Sequence, residues 1–149
     1  MSQSTDGQIC FGISFPEGFE FPWDKADCWQ ENWWRNINNY KPLFDLHDNA
    51  SDEDCKKYYE HRRAFDEQNP FPVTLINTCS GDYPMYILAI PTTCLTASRG
   101  YPKIFDPKSL TIEQKDIDGL LHFITKYIKF EDECEIDLNP KWYLSSYWG

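Results

Sequence analysis

The side chains able to do chemistry are scattered along this chain, and few of them cluster. The nearest approach to a metal set is "DLHD", which brings Asp45, His47 and Asp48 together. A divalent ion accepts one imidazole and two carboxylates. Yet His47, His61 and His122 never pair at i,i+4 and no H-E-x-x-H occurs, so the stretch reads as a solvated connector and no metal is expected. Cys79 and Ser80 close an expected strand, a place where nucleophiles sit. No local base and no G-x-S-x-G accompany them, and with Gly81 and Asp82 they read as turn residues. His122, beside an apolar stripe, would need a cleft partner to act as a base. Neither a Walker pattern nor G-x-G-x-x-G appears, so no nucleotide cofactor is expected and no catalytic residue is assigned.

Two features remain. One is acidity. The chain has 24 acids against 14 bases, net charge −10. Asp45, Asp48, Asp52, Glu53 and Asp54 form one cluster, and Glu131, Asp132, Glu133, Glu135 and Asp137 form another. Such a balance disfavours direct contact with a nucleic-acid backbone, which needs Lys and Arg to replace counterions, and it disfavours an anionic membrane. It suits a basic protein surface, such as the groove of a nucleic-acid-binding protein. The expectation is therefore an acidic, aromatic-rich binding or inhibitor protein, with those ten carboxylates as partner-binding residues. The plainer reading is that the charge serves solubility alone.

The other feature is aromatic. Aromatic residues make up 17% of the chain. "CWQENWW" holds Trp29, Trp33 and Trp34, with Trp23 just upstream. The loop "TASRGYPKIFDPK" gathers Arg99, Lys103 and Lys108 around Tyr101 and Phe105. Trp23, Trp34, Arg99 and Tyr101 are the alternative site, able to grip a planar or anionic ligand. Pairing of those cations with the chain's own acids is the plainer account. A third reading, an interaction module of a larger assembly, requires an exposed apolar patch.

These residues must be positioned by a chain of 149 residues, a length that fits one domain. The start "MSQSTDGQIC" has neither the basic nor the apolar region of a signal peptide, and no apolar run approaches a membrane span, so a cytoplasmic protein is expected. Six cysteines without a C-x-x-C pair then read as buried thiols, with no structural disulfide.

Residues 8–15 alternate Ile9, Phe11, Ile13 and Phe15, a half-buried strand. A helix is predicted over 24–40, with Ala26, Trp29, Trp33, Ile37 and Tyr40 on one buried face. Ser51 opens a second helix over 51–68, with Asp52–Lys56 and Glu53–Lys57 pairs. "VTLINT" (73–78) and "MYILAI" (85–90) read as a hairpin, the second strand central. Thr111 and Gln114 suggest a capping box for a helix that buries Ile117, Leu120, Leu121, Ile124 and Ile128. "KWYLSSYWG" closes as a strand. The sum is α+β: a single domain with an antiparallel or mixed sheet of about four to five strands and about three helices packed mainly on one side.

Overall fold

The computed structural model describes residues 5–47, 49–78, 85–130 and 135–148. The element order is β1 (Thr5–Phe15), α1 (Pro22–Lys25), α2 (Gln30–Ile37), α3 (Asp52–Gln68), β2 (Thr74–Asn77), β3 (Tyr86–Ala89), β4 (Leu95–Ala97), α4 (Gln114–Tyr127) and β5 (Lys141–Trp148). Short 3-10 turns lie at Pro91–Thr93 and Pro107–Ser109. Every strand pair is antiparallel, so the fold is α+β with a five-stranded antiparallel sheet. Contacts gather in two units: residues 1–22 with 72–149, and residues 23–71.

In the first unit β1 is the hub. One of its edges pairs with β5 along residues 5–12. The other pairs with β4 at residues 7–9 and with β3 at residues 12–15. The alternation of its sequence predicts one wet face. Instead Cys10, Ile13 and Phe15 are buried, and so is Gly12, because a central strand is covered on both sides at that end. Gly12 is there for space: a Cβ would lie 2.1 Å from the Leu88 carbonyl oxygen.

Between the β4 and β3 pairings the ladder is interrupted. Thr93 fills the gap, its Oγ1 accepting the Phe11 N–H at 3.0 Å and donating to the Ile90 carbonyl at 2.7 Å. One face of the sheet buries Cys10, Ile76, Ile87 and Ala89, with Cys94 and Tyr143 against them. On the opposite face Phe15 stacks on Phe19 and Phe21, at 4.8 and 5.1 Å between ring centres. Tyr86 and Phe130 complete that aromatic box. Tilted ring pairs of this kind add about 0.5–1.5 kcal/mol each beyond the area they bury.

α4 keeps the predicted stripe. Leu120, Ile124 and Ile128 are buried, with Phe123 beside them, while Ile117 and Leu121 are half-buried. The expected capping box does not form. The Ser109 carbonyl takes the Thr111 N–H, which holds that residue in the preceding turn, and the helix begins after Glu113 with no side-chain cap. His122 is exposed.

In the second unit the predicted helix over 24–40 is broken. Two Schellman motifs account for it. Cys28 N–H bonds the Trp23 carbonyl and Asp27 N–H that of Asp24, ending α1 with Asp27 at φ 49°. Tyr40 N–H bonds Arg35 and Asn39 N–H bonds Asn36, ending α2 with Asn39 at φ 57°. Both left-handed positions are held without glycine, at a steric cost that Asp and Asn bear better than most residues.

The break parts Ala26 from α2, and of the predicted face only Trp33 and Tyr40 are even half-buried. Trp29 is the N-cap residue of α2 and 80% exposed, and Ala26 and Ile37 are also exposed. Trp23 is buried instead, its ring 5.5 Å from Trp33 and 5.8 Å from Phe71. Arg35 is the buried residue of α2, its guanidinium in a two-pronged bond to Asp66 of α3 at 2.7 Å for each nitrogen. That bond holds the Arg35 pKa above its ordinary value, against the opposing effect of burial. α3 buries no residue fully and lies wet on its outer side, as its thin stripe predicts.

Candidate functional site

α3 positions the first acidic cluster. Ser51 is its N-cap, and Ser51 Oγ accepts the Asp54 N–H while donating to the Asp54 carboxylate at 2.6 Å. Three acids in the first turn also suit the positive end of the helix dipole. Asp54 is thereby half-buried and structural, whereas Asp52 and Glu53 are exposed. Glu53 pairs with Lys57 at 2.7 Å, as predicted. Lys56 lies 4.0 Å from Glu60 rather than pairing with Asp52. Asp45, on the connector before α3, is exposed. Among the described residues Asp45 and Asp52 carry no ion pair.

Asp45 and Asp54 line one hollow of about 560 Å³ with Phe44, His47, Asn49 and Ala50. Phe44 packs on Tyr58 at 6.1 Å, and Tyr58 on Tyr59 at 5.5 Å. Leu43 and Tyr59 are more than half exposed. Carboxylates and open apolar side chains thus share one stretch of surface in this unit. The acidity is local, since further along α3 a second hollow is lined by Lys56, Arg62 and Arg63 as well as Glu60 and Asp66.

The second cluster is only partly placed. Glu135 and Asp137 are exposed, and Asp137 is bound by Lys141 and by the Asn139 N–H, which together hold its carboxyl below the usual range. Asp48, Glu131, Asp132 and Glu133 lie outside the described residues, as do Cys79, Ser80 and the hairpin turn.

Neither tryptophan of the alternative ligand site is exposed. Trp23 is core, and Trp34 is half-buried with its Nε1–H donating to the Asn69 carbonyl at 3.0 Å. Both belong to the 23–71 unit, whereas Arg99 and Tyr101 belong to the other. Tyr101 is 78% exposed, and the Arg99 N–H donates to the Asp6 carboxylate at 3.1 Å.

Sequence reasoning missed two things. The Arg35–Asp66 bond left no signal, because charged residues on a polar helix are expected in water. The other is an apolar groove of about 140 Å³ on the first unit's sheet, lined by Ile9, Leu95, Ala97, Phe105 and Leu144 with Lys103 at its side. The alternation of "KWYLSSYW" hinted at it but did not say which face stays open.

Cys10, Cys28, Cys55 and Cys94 are free thiols. Among the described residues no three His, Cys, Asp or Glu side chains converge to hold a metal ion, and no helix is long and apolar enough to cross a membrane. Comparison of the chain with protein-family models, curated proteins and solved structures gave no match.

Proposed function

We propose that this is a binding protein that engages a basic protein surface through the face formed by the connector before α3 and its first turn. The carrying observation is the hollow lined by Asp45, Asp54 and Phe44, with Asp52 and Leu43 exposed on the same two segments and Phe44 packed on Tyr58. Carboxylates next to an aromatic ring suit a lysine or arginine side chain, which gains an ion pair and a ring face together. Exposed aromatic and leucine side chains beside the charges supply the apolar centre that charge alone lacks. A nucleic-acid-binding protein, with its Lys- and Arg-rich groove, is the partner class this chemistry fits.

The test uses the immobilised chain to capture proteins from a cell extract at low and high salt. It compares the natural sequence with Asp45→Lys/Asp52→Lys and with Phe44→Ala. Basic proteins should be retained at low salt, released as salt rises, and lost in both variants. Asp54 is left alone because its carboxylate holds the hydroxyl of Ser51, the cap of α3. Retention that ignores salt and both variants would refute the acidic-face reading.

A further inference from the structure

β5 is an edge strand, and among the described residues it pairs with β1 alone. The direction of its peptide groups follows from β1. The Phe11 carbonyl accepts the Ile90 N–H at 2.9 Å and the Phe11 N–H goes to Thr93, so the Phe11 peptide groups face the β3–β4 side. Direction alternates along an antiparallel strand, so Asp6, Gln8, Cys10 and Gly12 face β5 instead. The β1–β5 register is unbroken, and it sets those four opposite Tyr147, Ser145, Tyr143 and Lys141. The N–H and C=O groups of Trp142, Leu144 and Ser146 therefore point outward, away from β1.

This edge lacks the usual guards. β5 carries a single charge, Lys141, and no proline. Leu144, at its middle, is 81% exposed beside the groove that runs to Phe105, and Ile104 nearby in sequence is 99% exposed.

We propose that β5 pairs with β5 of a second copy of this chain, antiparallel about a two-fold axis at Leu144. The strand is self-complementary in that register. Leu144 meets its own copy, Trp142 falls opposite Ser146, and Tyr143 opposite Ser145, so these two aromatic residues face small ones, while Lys141 falls opposite Tyr147. The outward amides of Trp142, Leu144 and Ser146 find partners without disturbing a bond to β1. The two Lys141 residues lie at opposite ends, ~20 Å apart at strand spacing, beyond the ~8 Å screening length of physiological salt. The ladder thus contains no like-charge contact. Strand pairing over about 27 Å falls short of a standard interface, so the dimer is reversible and concentration-dependent. Two copies at −10 each repel at long range, so salt tightens it, the opposite of its effect on the acidic-face binding proposed above.

Sedimentation of the full chain over a range of concentrations, in salt between about 0.01 and 1 M, reads this directly. Mass should rise toward that of a dimer with concentration, more so at high salt. Ser146→Pro removes an outward N–H and no bond to β1, so it should give a folded monomer by circular dichroism. Leu144→Lys sets two cations together at the axis and should weaken the dimer by about tenfold or more. A natural chain that stays monomeric throughout overturns the proposal and assigns the edge to a different strand or to none. A dimer that survives both substitutions overturns it as well, since the contact then lies elsewhere. Neither result bears on the capture experiment with Asp45 and Asp52.

Discussion

The side-chain oxygen of Thr93 accepts the main-chain N–H of Phe11 at 3.0 Å, and so stands in for a strand where the neighbour of β1 changes from β3 to β4. Thr93 is buried and its hydroxyl proton goes to Ile90. Thr93→Val keeps the shape but leaves the Phe11 N–H and the Ile90 carbonyl without this partner, which should cost about 1–3 kcal/mol. Thr93→Ser keeps both bonds and should cost much less. Urea unfolding of the two variants checks this, and equal losses would show that the hydroxyl does not matter.

Gly12 sits where the β1 and β3 backbones leave no room, and the obstructing atoms are main chain. Gly12→Ala should destabilise by roughly 1–3 kcal/mol or more, as overpacking does. Gly7→Ala is the control, since a Cβ there meets nothing within 4 Å. Thermal unfolding should separate the pair clearly.

Burial, and secondarily the neighbouring Cys94, pushes the Cys10 thiol up to about 12. The ordinary value in an unfolded chain is ~8.5, so the folded state holds this proton more tightly. Its contribution to stability is complete below the unfolded value and is lost as pH rises toward 12. Stability should therefore decline through the alkaline range, and Cys10→Ala should flatten that decline. A thiol reagent at mildly alkaline pH should leave Cys10 unlabelled in the folded chain, with mass mapping as the readout.

Asp27 and Asn39 hold left-handed backbone at the ends of α1 and α2. Glycine adopts this conformation freely, so Asp27→Gly and Asn39→Gly should each stabilise the chain, by up to about 1 kcal/mol. A fall in unfolding midpoint for both would contradict the turn assignment. Trp29→Ala, at an open position, should change stability by less than about 0.5 kcal/mol, while Trp23→Ala should cost about 3–5 kcal/mol.

What the sequence made legible divides along a physical line. α4 and β5 were plain because each carries its own period, and β2 and β3 because they are short runs rich in β-branched residues bounded by turn residues. The helix over 24–40 failed because Ala26 and Trp29 keep helical spacing across a break made by main-chain hydrogen bonds at Asp27, which side-chain periodicity does not register. Trp23 and Trp29 exchanged roles for that reason. β1 looked one-sided because Gly12 and Cys10 are small, and a strand flanked on both edges can bury small residues that show no alternation. At the candidate site, the exposure of Asp45, Asp52 and Glu53 followed from charge alone. The bond of Asp54 to the Ser51 cap and the placing of Phe44 and Asp54 around one hollow depend on how α3 meets the connector, which side-chain periodicity does not register.

The pairing of β1 with β5 has a consequence in time. During synthesis β1 leaves the ribosome long before Lys141–Trp148 exist, and at ~5–20 residues per second the wait is on the order of ten seconds. Until β3 and β4 follow, Ile9, Phe11, Ile13 and Phe15 belong to a nascent strand with both edges unfilled, and from then on one edge still waits. The last partner to arrive closes the hub, and pairing between segments so far apart in sequence is intrinsically slow, so crowded expression should favour misassembly through the open edges of β1.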